Sequence, residues 1–152
     1  MKALLVFLTL GLATTSAFAA TANDFAGQYS LENETILGKN QQAICSQGLV
    51  VAISGKNVNV VSATFDATAE LNGQPVKLVD STKEGQLQVS FANDQLTISL
   101  NGLLPEFIAP GTNEYNEVIT LEQAAGKLNV RHTFSSNLTP VNADSQCVYT
   151  KN

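Results

Sequence analysis

The sequence predicts an all-β domain: an antiparallel up-and-down meander of about 8–10 strands, closed or nearly closed into a barrel, with a β-sandwich as the alternative. Three observations predict it. Apolar residues recur with period two, turn residues interrupt them at short intervals, and no run of helical spacing exceeds two turns. Hairpins with one apolar face per strand must bury that face against a second sheet or curl it onto itself.

The first segment stands apart. Residues 1–19 begin with Lys2, continue with an uncharged apolar run from Ala3 to Ala13 and end in Ala17-Phe18-Ala19. This is the order of a secretory signal peptide, too short in its apolar part to span a bilayer. The expectation is an exported, periplasmic or extracellular protein with one domain over residues 20–152 and no membrane span.

Alternation then sets the strands. Leu49, Val51 and Ile53 lead to Ser54-Gly55-Lys56-Asn57, with Val58 and Val60 beyond. Phe65, Ala67, Ala69 and Leu71 precede Asn72-Gly73, a strong hairpin signal, and Val76 and Leu78 follow. Leu87, Val89 and Phe91 precede Ala92-Asn93-Asp94, with Leu96, Ile98 and Leu100 after it. In the last hairpin Val118 to Leu121 and Leu128, Val130, His132 and Phe134 flank Ala124-Ala125-Gly126. The stretch from Leu103 to Gly111, LLPEFIAPG, is strongly apolar, but Pro105 and Pro110 cannot donate ladder hydrogen bonds. It is expected either to plug one barrel mouth or to form its lip, with Leu104, Phe107 and Ile108 meeting a ligand or partner.

Charge and chemistry narrow the function. The chain carries 8 basic and 13 acidic residues, a net charge of −5, with the basic residues scattered and Arg131 the only arginine. A clustered cationic face for nucleic acid is therefore missing. Only Cys45 and Cys147 are present, and in an oxidising compartment they are expected to pair. Such a bond would bring the two ends of the meander together, where a barrel would close.

One histidine exists, without a nucleophile elbow, phosphate loop or zinc motif. His132 shares parity with Leu128, Val130 and Phe134, so it is expected to point inward as a hydrogen-bonded core residue or a lumen contact. Glu114 and Glu117 could act as acid and base only across a cleft. The residues thus predict a monomeric non-enzyme with no metal and no cofactor. A small apolar molecule in the lumen is the expected partner, and another secreted protein held by the loops is the alternative.

Asp24-Phe25-Ala26-Gly27-Gln28-Tyr29-Ser30-Leu31 resembles the opening of lipocalin-like (calycin-type) barrels. There a glycine and an aromatic two residues later start the first strand and close the base. The resemblance assigns those places to Gly27 and Tyr29, and to Arg131 the late arginine that packs on the aromatic. The chain is also similar to small periplasmic inhibitor barrels, some of which tie an early strand to the C-terminus by one disulfide, as Cys45 and Cys147 would.

Overall fold

A computed structural model describes residues 21–38, 41–63, 66–79, 84–103, 114–137 and 142–152. Residues 1–19, expected to form a signal peptide, and Leu104, Phe107 and Ile108 lie outside the described residues. A 3-10 turn, Ala22–Phe25, precedes β1 (Gly27–Ile36), β2 (Gly48–Ser54), β3 (Asn57–Ser62), β4 (Asp66–Glu70) and β5 (Val76–Val79). Then come β6 (Glu84–Ala92), β7 (Gln95–Leu103), β8 (Glu114–Ala124), β9 (Lys127–Ser136) and β10 (Ala143–Lys151). All ten form one antiparallel sheet in the order β4-β3-β2-β1-β10-β9-β8-β7-β6-β5, curled into a nearly closed barrel.

Turn chemistry fixes the hairpins. Asn93 (φ 52°) and Asp94 (φ 60°) both take left-handed backbone between β6 and β7, the pairing a two-residue turn requires if it is to match the strand twist. Asn72-Gly73 behaves differently from its sequence signal, because β4 and β5 do not pair: they are the two margins of the sheet. Pro75 brings no N–H to the start of β5. The Gly73 N–H donates to the Val89 carbonyl of β6 at 3.0 Å, and the Gln88 amide donates to the Gly73 carbonyl. The turn therefore docks on β6 and bridges the seam that a β4–β5 ladder would have closed.

One end of the barrel is sealed. The helical turn carries Phe25, 0% exposed, across the base, where it meets Phe91 edge-on at 5.9 Å. Gly27 opens β1, and Tyr29 points inward and donates its hydroxyl to the Phe25 carbonyl at 2.8 Å. Gln123 donates to the Asp24 carbonyl at 2.6 Å. Above this base the interior is filled by its own side chains. Val51, Val58, Val60, Leu87, Leu96 and Ile98 are each at most 2% exposed. Side chains of this size each contribute about 1.5–3 kcal/mol when fully buried.

Two expectations need correction. Arg131 does not pack on Tyr29: it alternates with the inward Val130 and His132, lies on the outer face, and its Nη2 meets Asp144 Oδ2 at 2.9 Å. The cation over the Tyr29 ring is Lys151, 5.9 Å from its centroid, whose Nζ also donates to the Ala26 carbonyl. Secondly, Cys45 and Cys147 are joined, with Cα atoms 6.1 Å apart, but not at the seam of the sheet. β1 and β10 already pair directly, so the bond instead clips the β1–β2 connection to the inner side of β10.

Candidate functional site

The end opposite Phe25, where a cavity opens at the ends of β5 to β9, is termed the wide end, and its polar interior is assembled by strand parity. The register of β1 against β10 shifts between Leu31 and Asn33. Such an irregularity re-aims the side chains that follow it. Beyond the shift, Glu34 stands opposite Cys147 and Ile36 opposite Ser145, so both side chains share the inner face of β10. On β9, His132 is cross-strand from Ser145 on one side and from Ile119 on the other. Glu117 precedes Ile119 by two positions on the inner face of β8, and its Oε1 lies 2.8 Å from His132 Nε2. Both residues are buried, at 4% and 5% exposure.

The β1–β2 connection caps this cluster. Glu34 Oε1 accepts the Ile44 N–H at 2.8 Å and the Cys45 N–H at 3.2 Å. Ser46 is buried, and the Tyr149 hydroxyl donates to its carbonyl at 2.9 Å. With the disulfide two residues further along β10 than Ser145, the segment 41–47 is held against the interior by that bond, by the two hydrogen bonds to Glu34, by the Leu31 N–H donating to the Gln47 carbonyl and by the Tyr149 hydroxyl. Ser145 Oγ is wholly buried and makes no hydrogen bond of good geometry, although it lies close enough to Glu34 to act on it. On the far wall Tyr115 and Phe134 stack with ring centroids 6.4 Å apart.

Electrostatics follow from these positions. Burial alone would raise the Glu34 carboxyl, but the Ser145 hydroxyl, the Ile44 and Cys45 N–H groups and His132 together hold it below its ordinary value. Burial, reinforced by the Glu34 charge, pushes the Tyr149 phenol up to about 12, against the hydrogen bond to Ser46. A raised folded value means that the neutral phenol is favoured in the folded state. Its contribution is complete below the ordinary value of 10.0 and is lost as pH climbs from there toward about 12. Denaturant midpoints measured across that interval should fall for the wild type and fall less for Tyr149→Phe. Tyr29, also raised by burial, contributes in the same direction and remains in the variant.

Apolar surface is left open at this end. Ile36, which ends β1 opposite the inward Ser145, is 44% exposed. Val76, which begins β5 beside the seam opposite the inward Leu87, is 43% exposed. Leu31 and Phe134 are only partly buried. A cavity of about 850 Å³ opens at the ends of β5 to β9 and reaches the inward Tyr115 and Ser136 past Gly85 and Gly102. The Cβ of any larger residue at Gly85 would collide with the Asn101 carbonyl oxygen, so the two backbones can approach only because that side chain is absent. Leu103 and Glu114, which flank residues 104–113, both line the cavity.

Of the expected contact residues, His132 lies in the interior, and Leu104, Phe107 and Ile108 lie outside the described residues. The sequence pointed to Glu117 without marking it as the partner of His132, and nothing in it singled out Glu34 or Ser145. Parity was the available signal for Glu117, since it alternates with Ile119 and Leu121. Among the described residues, no group of three or more His, Cys, Asp or Glu side chains could hold a metal ion, and no helix is long and apolar enough to cross a membrane.

No known protein family and no curated protein sequence matches the chain. Solved structures do. The barrel is similar to the REP1-NXSQ fatty acid transporter, with a TM-score of 0.54 and 11% identity over 86% of this chain and 98% of that one. A tyrosine-to-phenylalanine mutant of that transporter aligns with a TM-score of 0.54 and 10% identity, over 86% of this chain and 100% of its own. The lipocalin-like character expected from the Gly27 and Tyr29 opening therefore holds at the level of the fold.

Proposed function

We propose that this protein is an exported, non-enzymatic barrel that binds a small, largely apolar molecule at its wide end. The observation that carries this reading is inward apolar surface that the fold leaves open at Ile36, which stands opposite Ser145 and so beside the buried polar cluster of Ser145, His132 and Glu117. The narrow half is packed with side chains, so the ligand's tail lies toward the mouth and its polar end toward Glu117 and His132. The similar barrels are fatty acid transporters by name, which supports an apolar ligand. The disulfide supports an oxidising compartment.

The polar end of the ligand is a hydrogen-bond donor in this reading. Among the described residues, the wide-end interior holds Glu34, Glu117 and His132 and no lysine or arginine. A carboxylate placed there would face two others, whereas a hydroxyl or an amine would find acceptors. The test is displacement of a fluorescent apolar probe by a long-chain alcohol, amine and carboxylate of equal length. The alcohol or amine should displace it at lower concentration than the carboxylate, and Phe134→Ser should weaken all three. Equal or stronger displacement by the carboxylate rejects the donor assignment, and no displacement by any of them rejects the binding reading.

Support for a non-enzymatic role comes from His132, whose Nε2 is occupied by Glu117, and from Ser145, which is wholly buried. His132→Gln keeps hydrogen-bonding capacity and removes the titratable ring. Any hydrolytic activity that the wild type shows and this folded variant loses would overturn the assignment.

A further inference from the structure

The outer face of the barrel carries an arrangement that ligand binding at the wide-end interior does not use. Register sets Lys77 opposite Gln86, Gln86 opposite Asn101, Asn101 opposite Asn116 and Asn116 opposite Ser135. The result is one continuous row of polar side chains running around the barrel across β5 to β9. All five are exposed, and all five line the cavity of about 850 Å³. On the same outer face some polar side chains are engaged by one another or by the backbone. Gln88 donates to the Gly73 carbonyl, Gln95 to Glu122, Thr133 to the Val118 carbonyl and Arg131 to Asp144. Among the described residues, Gln86, Asn101, Asn116 and Ser135 make no such side-chain hydrogen bonds.

We propose that this row is a second binding site, for a neutral polyhydroxylated ligand of the saccharide class. Each amide offers two donors and an acceptor, and a serine hydroxyl offers both roles, which matches a ligand whose every hydroxyl also donates and accepts. An anion would call for donors alone and a cation for acceptors alone. Among the described residues, the charged side chains on the cavity wall, Lys77 and Glu114, have opposite signs and leave no net charge to select either. Adjacent strands lie about 4.8 Å apart, so the row presents matching groups at regular intervals along the line of an extended ligand. Leu103, 46% exposed on the same wall, supplies apolar surface for the C–H face of a sugar ring. An extended peptide is disfavoured because it binds through a sheet edge, and this row runs over strands that are paired on both sides at β6, β7 and β8.

The test uses the full chain against an array of neutral, sulfated and sialylated oligosaccharides, together with a random peptide library. At least one neutral oligosaccharide should bind, and on titration it should shift the side-chain amide NMR signals of Gln86, Asn101 and Asn116. The double variant Asn101→Ala, Asn116→Ala changes two exposed side chains, and should retain its fold while weakening that saccharide about tenfold or more. It should leave displacement of the apolar probe unchanged, which separates this site from the interior one. Binding confined to anionic glycans, capture of peptides through the row, neutral binding that the double variant does not weaken, or no binding at millimolar saccharide would each overturn the proposal.

Discussion

Cys147→Ser, or reduction of the Cys45–Cys147 bond, is expected to lower the stability of the folded chain by about 2–5 kcal/mol. The bonded residues are 102 apart in sequence, and in the chain-entropy description a loop of that order constrains the unfolded chain by about 4.7 kcal/mol. The loss should be close to the upper end, because the bond is one of several attachments that fold the segment 41–47 inward. Releasing Cys45 loosens the neighbouring N–H groups of Ile44 and Cys45 that serve the Glu34 carboxylate. Urea melts of oxidised and reduced protein, with hydrogen exchange at Ile44 and Cys45, read both effects. A midpoint unchanged by reduction would show that the packing of the barrel alone holds this segment.

The second large effect concerns the buried pair. His132→Leu leaves the Glu117 carboxyl in an apolar interior without its imidazole, and removal of one member of such a pair costs about 3–5 kcal/mol. Changing both, with Glu117→Leu and His132→Leu, removes the stranded group as well. The double variant should recover most of the stability and can equal the wild type, since a buried polar pair replaced by apolar side chains of similar volume is often neutral. A double-mutant cycle by chemical denaturation gives the coupling directly. If the single losses simply add in the double variant, the 2.8 Å contact contributes nothing beyond packing.

The barrel was legible because an antiparallel sheet with one buried face writes its parity into the chain, and a slip of one residue would expose every apolar side chain. That is why the sequence alone places Leu128, Val130 and His132 inward. What failed were the statements that depend on which strands meet. Asn72-Gly73 looks like a hairpin from local chemistry, but the Gly73 N–H goes to β6, a partner no local pattern names. The resemblance placed Arg131 on Tyr29, although the alternation on β9 already pointed it outward toward Asp144. The interior cluster was half visible: parity could have joined Glu117 to His132, while Glu34 reaches the interior only through a shift in register, which leaves no mark in the sequence. The outer row was hidden for a different reason. Gln86, Asn101, Asn116 and Ser135 each look like an ordinary solvent-facing residue, and only the register of successive ladders aligns them.

The order of the strands bears on how the chain reaches this state. β4 and β5 are chain neighbours at opposite margins of the sheet, whereas β1 and β10, the first and last strands, lie side by side within it. Read from β5 through β10 and on through β1 to β4, every ladder joins consecutive strands, so the topology is a cyclic permutation of a purely local meander. Two arms, β1 to β4 and β5 to β10, can each zip from short hairpins. Among the described strands, only the ladder that joins them spans the chain, bringing together residues such as Ser30 and Asn152, 122 apart in sequence. Long-range pairing of this kind is what slows β-protein folding, because loop closure must precede any contact that rewards it. Cys45 sits in the first arm and Cys147 in the second, so once oxidised they tether the two arms beside that single distant ladder, and refolding of the disulfide-intact chain begins with its slowest encounter already made.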